Sequence, residues 1–542
     1  MDKALLERLI VTAQKSAPQT QGGMKVDKRF ARYIEKYEKL RNIVGFHDEH
    51  AWRRYAIERI IKRHLFLTVK QKPSTESLLQ ELVLARYIGE NSVTPQAIQA
   101  IDAVITKYLR AADYAVSTLD GGHTEMRDWF LGIMAVEIEG VLGLLDHEYA
   151  LIEAFRAELQ KRFQFPSFYL QKEQEDVFII MAAAASLIKA DHKFIAYLLI
   201  RQWYGAWFTR TPSSVMREMH SQKDLNSDEG SVWGFSQSED AIKPLVGQVW
   251  QLKSHIAHYQ KHDVYSQVMR IAKKQAVPFL VLDEVIKKYG GSLQPLQKRV
   301  ETVIEVMNAN VQKKVKRQVW HSFVYLLITK LSLIIILEVP FEMWKDKEIG
   351  VFQAMINLVS PVILLLILTI SIRAGSRENT SAIIQEVDVL VHEGKTDRGG
   401  KVTLPQERSL GKSLAFNTLF LLAYIFSYGI IIWALNSLHF NVVSGWLFVL
   451  FITLVTYLAI RIRFTAERFW IIERGTRIGR ELLYFFALPI LWSGRWLVKR
   501  FSQYNFFIAF FDLLFEAPYK TLIFLFRDFA DFTREKREMM DS

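Results

Sequence analysis

Lys330 and Glu338 are the residues of this sequence best suited to chemistry. They are an amine and a carboxylate inside an apolar stretch, Ser322 to Trp344, that is otherwise uncharged as far as Pro340. A charge at the centre of a bilayer costs about 2.5–3.5 kcal/mol on insertion scales, so such residues commonly mark ion or proton pathways. Two readings are open. In one, Lys330 and Glu338 form the working pair of a transporter or channel, with Asn357 or Tyr428 contributed by other spans. In the other, Lys330 snorkels to the cytoplasmic headgroups, while Glu338 and Glu342 mark the outer edge. The second is preferred, because the other apolar stretches carry almost no charge.

A second constellation is His255, His258 and His262, spaced as H-x2-H-x3-H. On one continuous helix the three rings share a face, where imidazoles hold a transition metal. Asp263 lies off that face, and Lys253, Gln260 and Lys261 surround the histidines. A solvated polar face is the simpler reading, and the metal site stands second.

Other catalytic signatures are missing. The GKS at 411–413 and the GGK at 399–401 lack the first glycine of a phosphate-binding loop, and there is no HExxH or GxSxG. The absence of cysteine excludes disulfides, thiolate nucleophiles and zinc-thiolate centres. The sequence therefore weighs against an enzyme, and no cofactor is expected.

The elements that must position Lys330 and Glu338 are apolar. Ser322 to Trp344, Val351 to Ile372, Leu414 to Leu435 and Val442 to Ile460 each approach the roughly 20 residues needed to cross about 30 Å of hydrocarbon. Basic residues gather before the first stretch (Lys313, Lys314, Lys316, Arg317), between the second and third, and after the fourth (Arg461, Arg463, Arg468, Arg474, Arg477, Arg480). The alternate loops are poor in them. The positive-inside rule puts residues 1–320 and the C-terminus in the cytoplasm, in a plasma or inner membrane. Those six arginines are candidate contacts for anionic lipid headgroups, worth about 1 kcal/mol each near the surface.

Two more apolar stretches follow. Leu482 to Val498 contains Pro489 and Arg495, and a crossing would leave Lys499 and Arg500 outside, so it reads as interfacial or re-entrant. Ser502 to Asp531, wound as a helix, gathers Asp512, Glu516, Lys520 and Arg527 into a polar stripe opposite a phenylalanine-rich face. That amphipathic pattern suits a helix lying in the membrane interface.

Upstream, periodic apolar spacing predicts helices over 48–67, 75–87, 96–116, 125–145, 146–163 and 173–189, with Thr94, Asp146 and Asp191 as caps. The fold class is all-α: a soluble multi-helix domain (1–219), a flexible linker or loop (220–240), a second helical segment with a membrane-proximal helix (241–320), a four-span membrane domain (321–460) and a basic, amphipathic tail (461–542). Leu296, Val300, Val303 and Met307 have coiled-coil spacing, too briefly to displace ordinary packing. The net charge of +12 is largely explained by topology, and no nucleic-acid motif accompanies it. Arg53, Arg54, Arg59, Lys62 and Arg63 read as a solvated basic helix face. The leading functional expectation is a membrane-anchored interaction or scaffold module with a cytosolic protein partner. A transporter or channel is the alternative, and a homo-oligomer is compatible with either.

Overall fold

The computed structural model describes residues 1–14, 51–67, 74–89, 93–119, 122–165, 171–203, 239–291, 293–345, 351–370, 372, 375–392, 400–402, 410–472 and 478–503, with a few isolated residues after 524. They are almost entirely helical; β1 (Phe163–Gln164) and β2 (Gly400–Lys401) pair in parallel as a minimal sheet. The chain divides into two compact units. One holds Met1–Leu293, Val389–Leu404 and Phe511–Ser542, the other Gln294–Asp388 and Pro405–Phe510.

The first unit contains α1 (Lys3–Gln14), α2 (Trp52–Leu67), α3 (Thr75–Leu84), α4 (Pro95–Thr118), α5 (His123–Val141), α6 (Asp146–Arg162), α7 (Lys172–Leu187), α8 (His192–Trp203), α9 (Glu239–Lys261) and α10 (Asp263–Tyr289). Several start where the sequence supplies a local stop or cap. Thr94 Oγ1 accepts from the Ala97 N–H at 3.1 Å ahead of Pro95, and Asp191 Oδ1 accepts from the Phe194 N–H at 2.8 Å. Asp146 is not a cap. Leu145 takes that position, and Asp146 and Glu148 stand in the first turn, where carboxylates favour the positive end of the helix dipole.

Helix α5 is buried on nearly every side from Trp129 to Glu139, an apolar run interrupted only by Glu137 and Glu139. It packs against α2, α4 and α8, while α10 packs against α1, α6 and α7. Gly290 ends α10 with φ +67°, a conformation cheap only for glycine.

In the second unit, α11 (Leu296–Leu333) runs through a π-turn (Ile334–Glu338) into α12 (Val339–Lys345) without a break. Leu296, Val300 and Val303 are buried at its start. Then come α13 (Val351–Ile370), α14 (Arg377–Val391), α15 (Leu410–Ser437), α16 (Val442–Ala466) with a 3-10 turn (Glu467–Phe469), and α17 (Ile478–Gln503). Among the described residues four helices are long and apolar enough to cross a membrane: Leu296–Trp344, Val351–Ile370, Leu414–Ser437 and Val442–Phe469. They coincide with the four expected stretches. Their large apolar side chains, among them Ile336, Phe352, Ile367, Leu421, Trp433 and Val442, are exposed, the arrangement of helices solvated by lipid.

Helices α11, α13 and α16 meet around Leu326, Leu365, Leu447, Phe451, Val455 and Ala459. The stretch Leu482 to Val498 is part of α17, a single helix through Pro489, packed on both α15 and α16. Contact is close at Gly494, where a Cβ would lie 2.6 Å from Tyr457 Cβ and 2.9 Å from the Thr453 carbonyl oxygen. Ser427 Oγ donates to the Phe486 carbonyl at 2.7 Å, and the Tyr424 and Ser493 hydroxyls are 3.2 Å apart. Residues 220–238 and the stripe Asp512, Glu516, Lys520 and Arg527 lie outside the described residues.

Candidate functional site

A single face of the first apolar helix carries the charge. Leu326, Lys330, Ile334, Glu338 and Glu342 recur every fourth residue and are all buried, whereas Leu327, Ile328, Leu331, Ile335, Ile336 and Leu337 between them are exposed. An uninterrupted α-helix at about 100° per residue would rotate Glu338 some 80° away from Lys330. The π-turn accommodates one extra residue, which turns the following register back by about 100° and returns Glu338 to within roughly 20° of Lys330. π-turns recur at functional sites, and this one aligns an amine with two carboxylates.

Around the carboxylates the neighbouring helices supply donors. Asn357 of α13 donates its amide to Glu338 Oε2 at 2.9 Å and to the Ser444 carbonyl at 3.3 Å. The Ser444 hydroxyl donates to Glu338 Oε1 and lies 3.5 Å from Glu342 Oε1. Asn441 donates to Glu342 Oε1 at 2.7 Å, and its own Oδ1 caps α16 by accepting from the Ser444 N–H at 2.8 Å. Asn357 and Ser444 are both fully buried. Asn357 Oδ1 is left without a donor among the described residues.

Lys330 is different. It is 1% exposed, and among the described residues its Nζ has neither a hydrogen-bond partner nor an ion pair. The nearest ordering influence is aromatic: Nζ lies 4.8 Å from the ring centroid of Phe451 and 5.7 Å from that of Phe448, both on α16. A snorkelling lysine would extend past the apolar surface. This one turns inward to the face of α16 that carries Ser444 one turn before Phe448, so the preferred sequence reading fails on geometry.

Sequence reasoning found Lys330, Glu338, Glu342 and Asn357 but missed Asn441 and Ser444. Their signal was present, since an asparagine three residues before a serine at the head of an apolar run is an N-cap. Tyr428 does not join the centre; its hydroxyl lies 3.3 Å from Thr453 Oγ1.

The basic residues after α16 divide. Arg461 and Arg468 differ from Arg463, which is half-buried, donates to Glu467 Oε1 at 3.0 Å, and lies 5.8 Å from the Tyr484 ring; Arg461 is exposed, and Arg468 lies 5.8 Å from the Phe469 ring. With Glu467, Tyr484 and Leu488, Arg463 lines a cleft of about 480 Å³ between α16 and α17, apart from the polar centre. Arg480 lies in α17, while Arg474 and Arg477 fall outside the described residues.

The three histidines do not share a helix. α9 ends at Lys261, and His262 caps α10 by accepting from the Val264 N–H at 3.3 Å, which separates its ring from His255 and His258 on α9. Among the described residues no group of three histidines, cysteines or carboxylates could hold a metal ion.

The basic stretch of α2 is also not a solvated face. Arg54, 2% exposed, donates to Glu139 Oε2 at 3.1 Å and to Asp191 Oδ1 at 3.3 Å, while Arg53 donates to the other Glu139 oxygen at 2.7 Å. Lys193 donates to both Glu58 oxygens, and Lys107 and Tyr108 to Glu137. Elsewhere in this unit His147 Nε2 lies 2.5 Å from Asp283 Oδ1, with Thr12 Oγ1 3.1 Å from Nδ1. Burial alone would raise the Asp283 carboxyl. The His147 hydrogen bond and the Lys287 ammonium instead hold it below its ordinary value. Thr12 Oγ1 is also 2.9 Å from the Arg8 carbonyl in its own helix, so the row ties α1, α6 and α10 together.

Comparison with models of protein families, with curated proteins and with solved structures finds no match to this chain.

Proposed function

We propose that this is a multi-pass protein of a plasma or inner membrane that moves a small ion through its apolar helices by way of Lys330 and the Glu338–Glu342 pair. The observation that carries this reading is Lys330 itself, a lysine 1% exposed whose Nζ has no hydrogen bond and no close ion pair among the described residues. A purely structural charge in hydrocarbon would be expected to find its counter-ion, and the carboxylates on the same face already have donors of their own. On the strength of the basic loops, the first unit and both termini belong in the cytoplasm, with the arginines after α16 against anionic lipid and the C-terminal stripe in the interface. Two experiments test this. The cysteine-free chain takes a single cysteine at Asn436 or Ser381, and an impermeant maleimide should label only Asn436→Cys from outside. Purified protein in liposomes should pass ions, and Lys330→Leu should cut that flux at least tenfold; flux no greater than from empty liposomes contradicts the reading.

The alternative, a membrane-anchored scaffold with a cytosolic protein partner, draws support from the ten helices described in the first unit, far more than an anchor needs. Cross-linking in the native membrane tests it through recovery of a reproducible cytosolic partner.

A further inference from the structure

We infer that the ion handled at this centre is the proton, and that Lys330 and the Glu338–Glu342 pair hold one exchangeable proton between them. The inference rests on the ion-handling reading above and names its substrate.

Two irregularities carry it. The Ser444 hydroxyl has one hydrogen but two carboxylate oxygens against it: it donates to Glu338, and Glu342 Oε1 lies 3.5 Å away. With the Ser444 hydrogen directed at Glu338, that second contact is a full hydrogen bond when a carboxyl oxygen brings its own hydrogen. Lys330, meanwhile, holds an ammonium that no acceptor among the described residues receives. One proton moved from Lys330 to the carboxyl pair removes both irregularities. It leaves a neutral amine over the phenyl rings and a carboxyl O–H for the second contact. The centre's net charge is the same in either arrangement, so the exchange balances with water as the only carrier between Lys330 Nζ and the carboxyls. Within the pair, Glu342 can pass its proton to Ser444 Oγ while the Ser444 hydrogen passes to Glu338, and the hydroxyl is restored.

The surroundings fit a proton better than an alkali cation. Hard cations take six or more oxygens, whereas here the Asn357 and Asn441 amides point N–H groups at the carboxylates. No other titratable side chain competes from the two helices packed on this face. α13 has none, and α16 has only Tyr457, Arg461 and Arg463, toward its far end. The amide oxygen of Asn357, buried and without a donor among the described residues, is an acceptor at which an incoming donor can arrive.

Infrared spectra of the purified full chain test this directly, recorded over a pH series in sodium, potassium and N-methylglucamine buffers. The carbonyl band of a buried protonated carboxyl should appear at about one group per chain and be the same in all three cations. It should vanish in Glu338→Gln/Glu342→Gln. If that double variant does not fold, Glu338→Gln alone should shift the band. Lys330→Arg is the sharper variant, because a guanidinium keeps its charge and cannot release a proton; it should abolish the band. A wild-type spectrum without the band, a band unchanged by Lys330→Arg, or one erased by sodium or potassium overturns the inference. A band without liposome flux sinks only the transport reading, and ion flux without a band sinks only the proton assignment.

Discussion

Arg54 and Lys330 are both cations withdrawn from solvent, 2% and 1% exposed, and they differ in their company. Arg54 sits among Glu139, Asp191 and the Phe194 ring, 4.6 Å from its guanidinium carbon, with each carboxylate also held by other donors. Lys330 has two phenyl rings and, among the described residues, no carboxylate within hydrogen-bonding distance. A network in which every member is satisfied rigidifies the helices that supply it; a charge left unsatisfied stores free energy that a ligand or a proton can release. The first arrangement is what a folded scaffold uses. The second is what the proposed site would use.

The largest effect on this contrast should come at Arg54. Arg54→Met should leave Glu139 fully buried without one of its two guanidinium partners, and removing one partner of a buried pair costs about 3–5 kcal/mol. Denaturant unfolding of the full chain in detergent should show that loss, and a change below about 1 kcal/mol would mean the network is not structural. The packing of the second unit is tested next by Gly494→Leu. A side chain there must displace Tyr457 and the Thr453 carbonyl, an overpacking of about 1–3 kcal/mol that should part α17 from α16. Loss of a bismaleimide cross-link otherwise formed between cysteines at Tyr424 and Ser493, whose hydroxyls are 3.2 Å apart, reports the parting. An undiminished cross-link yield would show that α17 is not seated as described.

The smallest effect concerns acid. Asp283 is held below its ordinary value in the folded chain, so it contributes stability that is complete above the unfolded carboxylate pKa of about 3.9 and disappears as pH falls through the folded value. Asp283→Asn should therefore lower the melting temperature of the first unit at pH 6 and narrow the gap from wild type toward pH 3. A gap that widens on acidification would reverse the assigned sign.

What was legible in the sequence was local. The four apolar helices follow from runs near the length of a bilayer, and α4 follows from Thr94 and Pro95 standing ahead of a periodic apolar stripe. Arg54 was misread because its partners come from helices far along the chain, and a basic, apolar, acidic alternation looks the same whether it faces water or other helices. His262 was misread because one histidine breaks α9 from α10 where the periodicity runs straight through. The alignment of Lys330 with Glu338 was hidden for another reason: it depends on a π-turn, and the run Ile334 to Leu337 carries no residue that announces one. The close seating of α17 did have a signal in Gly494, since small residues let membrane helices approach. The charge rule for Lys499 and Arg500 drew attention away from it.

The central claim is that Lys330 is retained for function and contributes nothing to folding. Lys330→Leu, measured side by side for unfolding in detergent and for ion flux in liposomes, tests it most directly. The account predicts a bundle as stable as wild type or more so, because an unpartnered cation has left an apolar site, together with flux reduced at least tenfold. A Lys330→Leu variant that inserts stably and carries wild-type flux would contradict it, as would one whose bundle unfolds.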